Sequence, residues 1–439
     1  MSGFTTGRSA NVDAAVPRIG YRTLLLGVLL GALAIRLALV AWMPADSIVT
    51  PLSSDTIYDA RAYAEIGRTL AQHGEYGYGD RLSAFRPPLY PWFLGGIFAV
   101  AGEDYRIVRI VQAVVGALAC LALAGFARRL FGRLAGILAG TLLAAYPFVV
   151  YFTSETLTET FFIALMAASF YLVVRTVQEP SLRLAVAGGI ALGLGALCRP
   201  PAFTFALAVL AAAAWMGWQR RLAIARRLGL CGLVAVLAVA PWCVRNSLLF
   251  GQPTFLTSYS GLNLYKGLPG KGNESSIDDL GYCQQWIEDG ARPDLPASER
   301  DLDGRALAYW LDYTRANPAA YLAQKAHDVR QFWFDFALGG SLASFGGLAL
   351  LASMCAYLGC LGLAVAQTVL SWRRRLGYRA WVPWLIIGLA FATYLPFFAG
   401  KRFRVASVDP YLIVLAASFL ADRLRAWGPW PRLRSRIAA

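Results

Sequence analysis

The sequence predicts an all-α polytopic membrane protein of about ten transmembrane helices, with juxtamembrane helices on the outer face and a small periplasmic region. Three observations carry this. The chain has 439 residues, 57% of them hydrophobic and only 15% charged, and its mean hydropathy is +0.50. Apolar stretches of about 17 to 25 residues, long enough to cross a bilayer as helices, recur along it. Arginine clusters fall on alternate connections between those stretches.

The apolar segments are 21–43, 106–127, 134–150, 156–174, 184–198, 200–218, 228–243, 343–369, 381–399 and 408–424. The pair 184–198 and 200–218 meets at Cys198-Arg199-Pro200-Pro201. Proline removes a donor and clashes with the preceding turn, so a tight hairpin is expected there. The first segment is too long for the apolar core of a signal peptide, and no small-residue cleavage site follows it, so it reads as a retained helix. With the N-terminus inside, the inner segments hold 21 Lys or Arg against three acids, Asp13, Glu179 and Asp422. The formal charge of +15 is then the positive-inside rule, and no nucleic-acid partner is expected, since the basic residues form no aromatic-interleaved groove.

This topology divides the chain into a cytoplasmic tail (1–20), an N-terminal transmembrane module (21–245), an outer segment (246–342), C-terminal transmembrane helices (343–425) and a basic cytoplasmic tail (426–439). The module contains a first outer loop, 44–104. Within that loop, residues 57–73 read as a helix lying on the membrane surface, with Tyr58, Ala62, Ile66 and Leu70 on its apolar stripe. Arg86-Pro87-Pro88 starts a second helix at 89–101, because proline suits the first turn. In the outer segment, Ser298 and Asp301 resemble a capping box ahead of a helix. Asn317-Pro318 interrupts it, and a further helix follows over 318–334. The seven cysteines offer neither a disulfide framework nor a zinc-binding spacing.

Charge at a membrane boundary is costly unless solvated or paired, so acids and cations there are candidate site residues. Asp59, Glu155 and Glu159 are the acids. Asp59 sits in a first helical turn, where the helix dipole favours it. Glu155 and Glu159 are four apart and share a face if the helix covers both. Arg86, Arg199, Arg245, Lys401, Arg402 and Arg404 are cations on the side where orientation does not require them. Guanidinium groups form charge-assisted bonds to phosphate oxygens, and a carboxylate opposite them suits a general base or a metal ligand. On an extended segment Arg402 and Arg404 would point the same way; on a helix Lys401 and Arg404 would pair instead. The simpler readings are a helix cap for Asp59, a solvated helix start for the two glutamates and snorkelling to headgroups for the 401–404 cations. Arg36, inside the first segment, is expected to satisfy carbonyls or an acid within the bundle.

The sequence elements Asp59-Ala-Arg-Ala-Tyr63, Arg86-Pro-Pro-Leu-Tyr-Pro91, Leu157-Thr-Glu159, Cys198-Arg199-Pro200, Pro241-Trp-Cys-Val-Arg245-Asn246, Gly261-Leu-Asn-Leu264 and Arg402-Phe-Arg404 occur in that order. Together they resemble the bacterial family 39-like glycosyltransferases of the GT-C superfamily, relatives of protein O-mannosyltransferases and of the lipid A aminoarabinose transferase. The resemblance covers most of residues 20–425. It implies a GT-C-type bundle in a bacterial inner (plasma) membrane, with its active site facing the periplasm or exterior. It implies inverting transfer of a hexosyl or pentosyl group from a polyprenyl-phosphate-linked sugar donor to a lipid, glycan or protein acceptor, among membrane lipids. Asp59 matches the catalytic carboxylate and Glu159 the second acidic position, and Tyr63 joins the substrate-binding candidates. Many members carry a second acid directly after the first, where this chain has Ala60; Asp55 lies one turn earlier. The resemblance fixes no cofactor, and a divalent metal, seen in some superfamily members, is left open. The alternative from another class is a polytopic transporter or flippase of a lipid-linked or anionic substrate. Transporters tend to place their sites at the midplane on broken helices, whereas these charges gather at one boundary.

Overall fold

The computed structural model describes residues 20–44, 57–78, 81–271, 299–335, 347–373, 378–397 and 400–427. The expected capping residue Ser298, Asp55, Cys283 and the side chain of Lys401 lie outside what is described.

Every segment expected to be helical holds a helix among its described residues. Helix α1 spans Tyr21–Trp42, α2 Ile57–His73 and α3 Leu89–Ala101. A two-stranded antiparallel hairpin, β1 (Gly77–Tyr78) and β2 (Arg81–Leu82), separates α2 from α3. There follow α4 (Tyr105–Phe131), α5 (Arg133–Ala145), a short α6 (Pro147–Tyr151), α7 (Glu159–Gln178) and α8 (Leu182–Cys198). After a 3-10 turn at Pro200–Ala202 come α9 (Phe203–Trp218), α10 (Leu222–Phe250) and α11 (Ser260–Lys266). The last part holds α12 (Glu299–Ala316), α13 (Pro318–Phe334), α14 (Gly347–Arg373), α15 (Tyr378–Tyr394), α16 (Lys401–Ser407) and α17 (Asp409–Trp427).

Among the described residues six helices are long and apolar enough to cross a membrane: α1, α4, α7, 200–218, α10 and 350–372. The other expected spans are helical but fall short of that standard. Helix α5 has 13 residues and at ~1.5 Å per residue reaches ~20 Å. It stops because Pro147 starts a new helix after Tyr146. Helix α17 carries Asp422, Arg423 and Arg425 near its end. Its first ten residues are all buried, so it stands inside the bundle against α14, α5, α4 and α15.

Two boundaries differ from expectation, for local reasons. Helix α10 continues to Phe250 through Pro241 and ends at Gly251, whose φ of 63° is the left-handed stop that glycine tolerates. Arg245 and Asn246 therefore ride on a helix, where Asn246 Nδ2 donates to Phe255 O at 3.0 Å. Helix α7 starts only at Glu159, because residues 153–158 form a buried turn whose hydroxyls bond backbone carbonyls: Ser154 Oγ donates to Tyr151 O at 2.7 Å. The four-residue spacing of Glu155 and Glu159 thus does not put them on one helical face.

Helix α2 is not a surface helix. Ala60, Ala62, Tyr63, Ala64, Ile66 and Thr69 are all buried, which is more than one face. It packs on α3 at glycine contact distance: a Cβ on Gly67 would sit 2.8 Å from Leu94 Cβ, and one on Gly95 would sit 2.9 Å from Leu70 Cβ. The far end of α2 is fixed by Arg68, which donates to both oxygens of Glu103 at 2.9 and 2.7 Å. Arg36 donates to the carbonyls of Ala32 and Ala144 at 3.1 and 3.3 Å, the carbonyl alternative of the two expected.

Candidate active site

Asp59 projects from the first turn of α2, held there by the close α2–α3 packing. Arg86 lies between β2 and α3. Its Nη2 donates to Asp59 Oδ1 at 2.6 Å, and its guanidinium lies over the rings of Tyr63, Phe85 and Tyr259 at 5.2 to 5.4 Å. The Tyr76 hydroxyl donates to the carbonyls of Arg86 and Pro87, at 2.8 and 3.2 Å. Glu159, at the first turn of α7, is fully buried. Arg199, at the α8–α9 corner, donates from Nη1 to Glu159 Oε1 at 3.0 Å and lies over Phe162 and Phe403 at 5.5 and 5.3 Å.

Arg402 joins the two halves. From α16 its Nη1 donates to Asp59 Oδ2 at 2.5 Å, and its Nε donates to Glu159 Oε1. Three guanidinium groups and two carboxylates drawn from five separate stretches of chain thus form one continuous ion network. Lys266 adds a further positive charge acting on Asp59, with its ammonium 5.1 Å from the Tyr259 ring. Burial alone would raise the Asp59 carboxyl, but Arg86 and Arg402 outweigh it and hold the group well below the usual carboxylate range. The Tyr63 hydroxyl is pushed up to about 12, chiefly by burial, so it stays neutral.

Of the residues expected from sequence, the structure brings together Asp59, Tyr63, Arg86, Glu159, Arg199 and Arg402. It does not bring Glu155, Arg245 or Arg404 to them. Glu155 lies in the buried turn before α7, its carbonyl accepting from Gln112 Nε2 at 2.8 Å. Arg245 donates to the carbonyls of Ser83 and Tyr76 at 2.5 and 3.1 Å, bracing the β-hairpin that leads to Arg86. Arg404 is fully buried on another face of α16. Its Nε lies 3.2 Å from Asp409 Oδ1, and its guanidinium packs 3.8 Å from the Tyr357 ring centre. The 401–404 segment is a helix, so Arg402 and Arg404 diverge and the expectation for an extended segment is corrected. Sequence reading missed Lys266 and Tyr259. Lys266 comes two residues after the Gly261-Leu-Asn-Leu264 element, and its place in the segment expected on the outer side was the available signal.

No three His, Cys, Asp or Glu side chains converge among the described residues. The two carboxylates that meet are already spanned by a guanidinium.

Residues 85–244 match the sequence profile of the dolichyl-phosphate-mannose-protein mannosyltransferase family. No curated protein matches the chain at a significant level. Among solved structures, the apo oligosaccharyltransferase of Archaeoglobus fulgidus is similar with a TM-score of 0.56 at 15% identity, over 94% of this chain and 52% of that one. The archaeal oligosaccharyltransferase AglB from the same organism, in complex with an inhibitory peptide and a dolichol-phosphate, gives 0.54 at 15% identity over 95% and 52%. ArnT from Cupriavidus metallidurans bound to undecaprenyl phosphate is 18% identical over 91% of this chain and 76% of that one, with a TM-score of 0.38. The chain spans about half the length of the archaeal chains it matches. The chain therefore shares the fold of the matching portion of the archaeal oligosaccharyltransferases, and residues 85–244 carry the sequence match to the mannosyltransferase family.

Proposed function

We propose that this protein moves a sugar from a polyprenyl-phosphate-linked donor to an acceptor hydroxyl, with inversion, at the end of the bundle that carries α2, α3 and α16. That end faces the periplasm or exterior if the arginine distribution sets the orientation. The observation that carries the reading is the bridging of Asp59 and Glu159 by Arg402, with Arg86 and Arg199 on either side. Three guanidiniums against two carboxylates leave one positive charge in excess, and Lys266 adds a second.

That excess suits the chemistry. A polyprenyl-phosphate sugar is a phosphodiester with one negative charge. As the bond from the anomeric carbon to the phosphate oxygen breaks, the leaving group becomes a phosphate monoester of roughly −1.5 to −2. Cations fixed beforehand stabilise charge that appears only as the transition state is reached, which is where binding accelerates a reaction. The acceptor oxygen forms the new bond on the opposite face of the sugar, its proton passes to Asp59, and polyprenyl phosphate departs.

Asp59 is a weak base while two guanidiniums hold it, and efficient general bases have pKa values near the working pH. Donor binding supplies the correction. A phosphate that takes Arg402 and Arg86 as partners withdraws them from Asp59, whose basicity then rises with the donor in place. The acceptor is activated only when there is a sugar to receive.

The test is incubation of purified protein with a panel of polyprenyl-phosphate hexoses and pentoses and detection of free polyprenyl phosphate. Release with one donor, dependent on acceptor and abolished by Asp59→Asn, supports the reading. No release with any donor, with the sugar lipid instead carried across vesicles, would select the flippase alternative.

A further inference from the structure

Glu299, at the start of α12, is nine-tenths buried and far along the chain from the loop it contacts. Its Oε1 accepts from Ser83 Oγ at 2.5 Å. Its Oε2 accepts from the Ala84 backbone N–H at 3.0 Å and from Ser258 Oγ at 2.7 Å. Ser83 Oγ in turn accepts from the Phe85 N–H at 3.0 Å, and the Ser258 N–H donates to Ala84 O at 3.0 Å. Three consecutive residues, Ser83, Ala84 and Phe85, are thus tied directly or through one hydroxyl to a single carboxylate. The next residue is Arg86. Ser258 precedes Tyr259, whose ring Arg86 faces.

We propose that Glu299 is a positioning residue for the donor phosphate: it fixes the 83–85 backbone and the Ser258–Tyr259 corner so that Arg86 is aimed at the centre of the ion network. The proposal rests on the donor reading above. A purely structural role accounts poorly for the geometry. A buried carboxylate whose three hydrogen-bond donors are all neutral, with the Arg245 guanidinium acting on it only from beyond ion-pair distance, is an expensive way to join a loop to a helix, because burying charge costs free energy that neutral hydrogen bonds only partly return. Burial accordingly pushes this carboxyl above the ordinary glutamate range. A neutral amide would cost less to bury, but with its oxygen on the Ala84 N–H and the Ser258 hydroxyl its NH2 group could not accept from the Ser83 hydroxyl. What the carboxylate adds is acceptance from both the backbone and the hydroxyls at once, which fixes the direction in which the chain enters Arg86.

The experiment is a titration of the full-length protein in detergent with undecaprenyl phosphate, read by intrinsic tryptophan fluorescence, with thermal stability measured alongside. Glu299→Gln should keep the melting temperature within a few degrees of wild type and weaken binding by roughly tenfold, the scale of one hydrogen bond to a charged group. Ser258→Ala should act in the same direction, and it carries the test if Glu299→Gln fails to fold. In turnover assays the loss should appear in the donor KM more than in kcat. In an Arg86→Gln background, Glu299→Gln should have little further effect, because the two act through one contact. Unchanged affinity in Glu299→Gln, or an equal loss with and without Arg86, overturns the inference while leaving the donor reading intact. Wild-type protein that does not bind undecaprenyl phosphate overturns both.

Discussion

Replacing Arg402 with glutamine tests the centre of the network. The side chain reaches Asp59 at 2.5 Å with Nη1 and Glu159 with Nε, and 19% of its side-chain surface is exposed. Glutamine removes the charge and cannot span two carboxylates. Glu159 would keep Arg199 at 3.0 Å and Asp59 would keep Arg86 at 2.6 Å, so neither carboxylate is stranded. The stability cost should therefore fall below the ~3–5 kcal/mol of breaking an isolated buried pair, at about 1.5–3 kcal/mol. Turnover should suffer more. The phosphate would lose the cation placed between both acids, and removing one such preorganised donor typically costs about a hundred- to a thousandfold. Arg402→Lys should recover little, because an ammonium is a point charge that cannot donate from Nε and Nη1 at once. The assay is release of polyprenyl phosphate at saturating donor, with thermal unfolding as a control. Turnover of Arg402→Gln within threefold of wild type would refute the bridging role and reduce α16 to a structural helix.

Further outcomes follow from the same geometry. Asp59→Asn should lower turnover by about a hundred- to ten-thousandfold, the usual range for loss of a general base, while undecaprenyl phosphate still binds; turnover near wild type would remove Asp59 from the chemistry. Because the folded carboxyl of Asp59 is depressed, its ionised form stabilises the protein above the unfolded aspartate pKa of about 3.9, and that contribution is lost as pH falls through the lower folded value. Arg402→Gln should move the acid limb of kcat/KM upward, and an unmoved limb would separate Asp59 from that limb. Arg404→Gln should lower thermal stability more than Arg402→Gln, because it leaves the buried Asp409 without its guanidinium; equal stability would contradict that assignment. Single cysteines at Glu75 and Arg315, exposed positions in a cysteine-free background, should react with an impermeant thiol reagent in intact cells, and one at Arg220 should not. The opposite pattern would place the ion network in the cytosol.

Local signals made most of the helices legible. Proline and glycine punctuation placed α3 and α13 at their observed limits, since Pro88 and Pro318 stand at helix starts. The misses have tertiary causes. Nothing local ends a helix before Glu159; the 153–158 turn forms because its hydroxyls and the Gln112 amide satisfy backbone groups across the bundle. Helix α2 has an amphipathic pattern suited to a membrane surface, yet glycine contacts with α3 draw it into protein on further faces. Periodicity reports how many faces of a helix are apolar, but not whether alanine and glycine on the remaining faces will be covered by a neighbour.

The site shows the same limit more sharply. Residue type and boundary position singled out Asp59, Glu159, Arg86, Arg199 and Arg402 but equally Glu155, Arg245 and Arg404, and which of the α16 cations reaches the acids depends on the backbone of a seven-residue helix. Alternation by two would have sent Arg402 and Arg404 to one target. On α16 they stand about 200° apart, at ~100° per residue, so one meets Asp59 and Glu159 while the other meets Asp409. The two pairings support each other. Arg404 also donates to the carbonyls of Phe332 and Trp333 at 3.3 Å, pinning α16 between α13 and α17 and leaving Arg402 a single direction in which to point. A helix of seven residues is too short to be stable by itself, so the buried Arg404–Asp409 pair is what allows an arginine on so short an element to serve as a fixed cation. Catalytic preorganisation requires that cation to stand in place before charge develops. Arg404 therefore contributes to the proposed reaction without touching the phosphate, a role that sequence spacing alone would not have separated from that of Arg402.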